Sequence, residues 1–204
     1  MIKHLGLGGM RSLARPSTNG RSTSSYLPLP CAALFLNLPS PPDSTMTSHP
    51  NFDATLRGRI GDDVLQSVYA SDQDMYPAPL TFAHLQSWVN ACPDLSICFR
   101  RDGTSSPIGV VIALPIRRPH WDDLLCGALK ETDIDPDVAF PRGRGVAGEE
   151  EVGLHVFHIE RFPENDVLPS SGARKGGFAE FAVNEVVHRA LLKRQWKVVG
   201  LSGG

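Results

Sequence analysis

"ARKGGFAEFA", residues 173–182, ends in the first turn of an apolar-periodic run and opens with a basic pair followed by two adjacent glycines. Glycines at such a point let something approach the backbone closely. A helix N-terminus presents N–H groups without intrahelical partners and a partial positive charge. Arg174, Lys175, Gly176, Gly177, Phe178 and Ala179 therefore form a candidate anion cradle, suited above all to phosphate. The bland alternative is a tight entry into a core helix. A P-loop would need Gly-Lys-Ser/Thr at this turn, and a dinucleotide turn would need G-x-G-x-x-G here; the turn has neither.

Working outward, the helix that follows is expected over about 177–194. Phe178, Phe181, Ala182, Val186 and Leu191 fall on its apolar side. Before the turn, "VGLHVFHIERF" (152–162) reads as a strand. Strict alternation would put Leu154, Val156, His158 and Glu160 on one face, and His155, Phe157, Ile159 and Arg161 on the other. "WKVVGLS" (196–202) reads as a final strand. A strand, helix, strand run of this kind requires a right-handed crossover if its strands are parallel.

Upstream, Ile60, Val64, Leu65 and Val68 predict a helix near 59–70. Thr81 is placed to cap "FAHLQSWVNA", whose Phe82, Leu85, Trp88 and Val89 share a face, and Pro93 stops it. Strands are expected at 95–100 and 107–116, joined by a turn containing Asp-Gly, the second apolar on both faces as in a central strand. A helix over 120–131 would turn Trp121, Leu124, Leu125 and Leu129 inward, and 132–151 reads as a long mixed-charge loop. The fold class is α/β, an α+β sandwich with one main sheet.

The chain has 204 residues and a formal net charge of −2, so no global field points to nucleic acid or an anionic membrane. Its four cysteines, Cys31, Cys92, Cys98 and Cys126, have no zinc spacing and read as reduced core thiols. Residues 1–42 carry Lys3, Arg11, Arg15 and Arg21 with no Asp or Glu, and are rich in Ser, Pro and Gly. We separate a leader, 1–50, from a folded domain, 51–204. The leader resembles a mitochondrial transit peptide; a disordered tail, or an upstream extension ahead of a start at Met46, fits equally. A cytoplasmic location is expected, or a mitochondrial one if 1–45 directs import. "PCAALFLNLP" is too short to span a bilayer.

Arg174-x-x-Gly177-x-Ala179, after a strand and at the mouth of a helix, resembles the Q/R-x-x-G-x-G/A signature of GNAT-type N-acetyltransferases. The order of the flanking elements from Phe52 to Ser202 is similar too, in the manner of divergent fungal-type members. The resemblance implies a mixed sheet flanked by helices, acetyl-CoA as cosubstrate with its diphosphate over residues 174–179, and no metal. It implies that the strand before the motif splays from the next, so that backbone groups between His158 and Phe162, including Ile159 and Arg161, hold the pantetheine arm. It implies direct transfer to a small-molecule or peptide amine, without nucleic-acid or membrane partners. Glu160 and His158 are the candidate proton acceptors, with His155 as an alternative. Two departures stand out: "PENDVLPSSGA" lengthens the connection, and the family continues past the fifth strand with a helix and two strands where this chain ends "GLSGG". The expectation is an apparently truncated member with an open sheet edge suited to a partner or to self-association. The alternatives are a non-catalytic CoA-binding or interaction protein, an inactive acetyltransferase fragment, or a structural domain.

Overall fold

The computed structural model describes residues 55–72, 80–101, 103–143, 149–162 and 177–203. The chain runs β1 (Thr55–Arg59), α1 (Asp62–Asp72), α2 (Phe82–Ala91), β2 (Ser96–Arg101), β3 (Pro107–Arg117) and α3 (Arg118–Leu125). A 3-10 turn (Glu131–Asp133), α4 (Pro136–Ala139), β4 (Glu151–Arg161), α5 (Gly177–His188), a π segment (Arg189–Lys193) and β5 (Lys197–Gly203) follow. The five strands form one sheet in the order β1-β2-β3-β4-β5. The first three pairings are antiparallel and β4–β5 is parallel. This is the mixed α+β sheet that the sequence predicts.

β3 is the spine of the sheet. Every residue from Ile108 to Ile116 is buried, as its unbroken apolar run requires. Two glycines set how closely helices approach the sheet. A side chain at Gly109 would run into the ring of Phe178 on α5, and one at Gly153 would run into the indole of Trp121 on α3. The register pairs Gly153 with Ile116, whereas Gly109 has the opposite parity on β3. So α5 covers one face, and α3 covers the other. Trp88 brings α2 onto the α3 side: it meets Phe157 edge-on at 5.1 Å, and its indole N–H donates to the Ile134 carbonyl at 2.8 Å. α1 packs on α2, and Thr81 caps α2 by accepting from the His84 N–H at 3.2 Å.

Four expectations are corrected. The first helix begins at Asp62 and is preceded by β1, which sequence patterning missed. Arg57, Gly58 and Arg59 give that edge strand no apolar alternation to detect. The helix placed at 120–131 stops at Leu125, where Gly127 takes a positive φ of 77°. The last helix is α-helical only to His188, and its π turn changes phase, leaving Leu191 exposed instead of inward. Cys126 is exposed, not a core thiol, while Cys92 and Cys98 are buried as expected; Cys31 lies outside the described residues. Desolvation pushes the Cys92 thiol up to about 11 and also raises Cys98, so both pack as neutral groups. Because Cys92 rises in the folded state, its contribution to stability is intact below the usual thiol value and is lost as pH climbs through about 11.

Arg189 closes the far end of the α5 face. It is 6% exposed, donates to Glu185 at 2.7 Å and to the Asp94 carbonyl at 3.1 Å. Arg57 of β1 also pairs with Glu185, at 3.3 Å. This partly buried, ion-paired set links the edge strand to the helix.

Candidate functional site

β4 does not alternate evenly. Ile112 faces His158 and Ala113 faces Val156, so Phe157 is an extra residue, a β-bulge. The bulge flips the parity of everything before it. His158 pairs with Ile112, Glu160 with Val110 and His155 with Leu114, three residues of one face of β3. His155 therefore shares a face with His158 and Glu160, whereas simple alternation placed it opposite. The face they share is that of α3.

His158 and Glu160, which sequence alternation places on one face, lie in contact. His158 Nε2 lies 3.2 Å from Glu160 Oε2, with the imidazole side chain 9% and the carboxylate side chain 36% exposed. A nearly buried ring in contact with a half-open carboxylate is an arrangement that can take up a proton and hold it.

Pairing of β4 with β3 runs from Val152 to Arg161, and pairing with β5 from Glu151 to Val156, which is opposite Gly203, the last described residue. The Phe162 N–H donates to the Ile108 carbonyl at 2.9 Å. Phe162, expected among the pantetheine contacts, thus directs its N–H to β3. By antiparallel alternation Glu160 and His158 face β3 in the same way, and the backbone groups of Ile159 and Arg161 turn to the opposite side of the strand.

α5 begins at Gly177, as the glycine turn predicts. Phe178 is buried, its ring 5.4 Å from that of Phe99, so it contributes to any ligand only through its backbone. Ala179 is exposed. Glu180 stands in the same first turn, where it complements the helix dipole. Arg174, Lys175 and Gly176 lie outside the described residues. A G-x-G-x-x-G spacing does occur in the chain, at Gly143, Gly145 and Gly148. It precedes strand β4 and does not link a strand to a helix, so it lacks the setting of a dinucleotide site.

His155 has partners that the sequence could not reveal. They come from the 3-10 turn and β5, Glu131 and Ser202. Neither lies in a motif, and only the fold brings them beside β4. Among the described residues no group of three or more His, Cys, Asp or Glu could hold a metal ion, and no helix is long and apolar enough to cross a membrane.

The solved structures similar to this chain include these two. One is NAA60 from Arabidopsis thaliana in complex with acetyl-CoA, 19% identical, covering 70% of this chain and 72% of that one at a TM-score of 0.39. The other is a ribosomal-protein-alanine N-acetyltransferase from Brucella melitensis biovar Abortus 2308, 13% identical, covering 74% and 81% at a TM-score of 0.39. No protein-family model and no curated protein matches the chain.

Proposed function

We propose that residues 51–204 form a GNAT-like domain that uses acetyl-CoA to acetylate an amine. The observation that carries this reading is that α5 starts at Gly177, at the glycine turn, in the same fold as a β4 strand that is bulged at Phe157 and turns the backbone groups of Ile159 and Arg161 away from β3. A strand whose backbone groups turn away from its antiparallel neighbour can hold an extended amide-bearing arm. A glycine-opened helix N-terminus nearby can hold a diphosphate. In this reading Ile159 and Arg161 meet the pantetheine through their backbones, and residues 174–179 meet the diphosphate.

The transfer is direct. The acceptor nitrogen attacks the thioester carbon, a C–N bond forms and the C–S bond breaks. The amine proton passes to the Glu160–His158 pair, which returns it, through water, to the leaving thiolate to give free CoA. Holding both reactants beside β4 removes the entropy cost of bringing them together from the chemical step.

Thiol release from acetyl-CoA, measured against a panel of polyamines, amino acids and short peptides with free N-termini, tests this proposal. Glu160→Gln keeps the side-chain shape and removes the charge. It should lower kcat roughly 10²-fold while leaving acetyl-CoA affinity unchanged. Turnover equal to the wild type in both Glu160→Gln and His158→Ala would remove both residues from the mechanism. Coenzyme binding without turnover on any amine would favour a CoA-binding protein.

A further inference from the structure

We propose that Glu131, His155 and Ser202 form a separate reactive centre, in which the Ser202 hydroxyl is a nucleophile toward activated acyl esters and thioesters. The three residues come from the 3-10 turn, β4 and β5. His155 Nδ1 lies 2.8 Å from Ser202 Oγ, and His155 Nε2 contacts Glu131 Oε2. The ring is 4% exposed. An ionised carboxylate can only accept, so the Glu131 contact fixes the proton of neutral His155 on Nε2. Nδ1 is then the acceptor, and the Ser202 O–H donates to it. That is the order of groups required to activate a hydroxyl: nucleophile, base, and an acid that orients the base.

Two further features favour chemistry over a plain structural hydrogen bond. Glu131 Oε1 is buried with no hydrogen-bond partner among the described residues, so the carboxylate's interaction is concentrated on the imidazole. Ser202 is only partly buried, and it is the β5 residue paired directly with His155. The hydroxyl therefore sits beside the imidazole with part of its surface open to a reactant.

The step balances without another reactant. Ser202 Oγ attacks the acyl carbon as its proton moves to His155 Nδ1, and Glu131 stabilises the imidazolium. The bond to the leaving oxygen or sulfur breaks, His155 returns the proton to that atom, and the acyl group remains on Ser202 until water or an amine removes it. This activity needs neither the glycine turn nor a bound coenzyme, so it stands or falls independently of the acetyl-CoA reading.

The full chain, incubated with a fluorophosphonate probe and mapped by peptide mass spectrometry, tests the proposal. Ser202 attacks phosphorus, fluoride leaves, and the adduct persists. We expect a single adduct on Ser202, absent from Ser202→Ala, and formed roughly 10²-fold more slowly or less in His155→Ala. Glu131→Gln preserves packing and should slow labelling as well, which keeps the test decisive if His155→Ala does not fold. Folded protein, verified by circular dichroism, that acquires no adduct on Ser202 would overturn the proposal. So would labelling of Ser202 at the same rate in the wild type and Glu131→Gln.

Discussion

Gly109→Val should unfold the α5 end of the molecule first and weaken coenzyme binding with it. A side chain at this position would meet the Phe178 ring, and its first carbon would stand 2.7 Å from the Glu160 carbonyl oxygen. The ring could move only by lifting the first turn of α5, and the carbonyl belongs to the β3–β4 ladder. Overpacking against atoms that cannot yield costs about 3 kcal/mol, which in a chain of this size lowers Tm by roughly 6–12 °C. Phe178 adjoins Gly177, the start of the helix, so the same change should raise the Kd for acetyl-CoA. Thermal melts and titration together check both halves. An unchanged Tm would mean that the close approach of α5 to β3 is wrong.

Trp88→Ala should be as damaging on the opposite face. The indole is 1% exposed, stacks edge-on against Phe157 and His84, and ties α2 to the Ile134 carbonyl. Removing a buried aromatic of this kind costs about 3–5 kcal/mol. Because Phe157 is the bulge residue, the cavity would open directly behind the strand that carries His155 and His158. Trp88→Phe keeps an aromatic ring but loses the N–H and part of the indole volume; the His84 ring, 3.0 Å from the same carbonyl, still reaches it. That variant should lose about 1–3 kcal/mol, less than Trp88→Ala. Urea unfolding of the pair measures the difference. Equal stability of Trp88→Ala and the wild type would show that α2 does not pack where it is placed here.

Much of this architecture was legible in the chain. The Thr81 cap, the central strand 107–117 and the helix opening at Gly177 each follow from a local rule that tertiary structure did not override. β1 was not legible, because an edge strand with two arginines and a glycine has no periodic signature. The bulge at Phe157 was not legible either: "HVFHIE" alternates plausibly in any register, and only pairing with β3 reveals the extra residue. That one residue decides which histidines share a face. Glu131 and Ser202 illustrate the same limit, since residues on three separate elements meet only after the sheet is assembled.

Titration of the full chain with acetyl-CoA, alongside Arg174→Glu, tests the central claim most directly. The account predicts saturable binding to the wild type, a Kd raised about 10- to 100-fold by the charge reversal, and no change in Tm without ligand. Absence of acetyl-CoA binding to the folded wild type, or equal affinity in the two proteins, would contradict a diphosphate site at the mouth of α5.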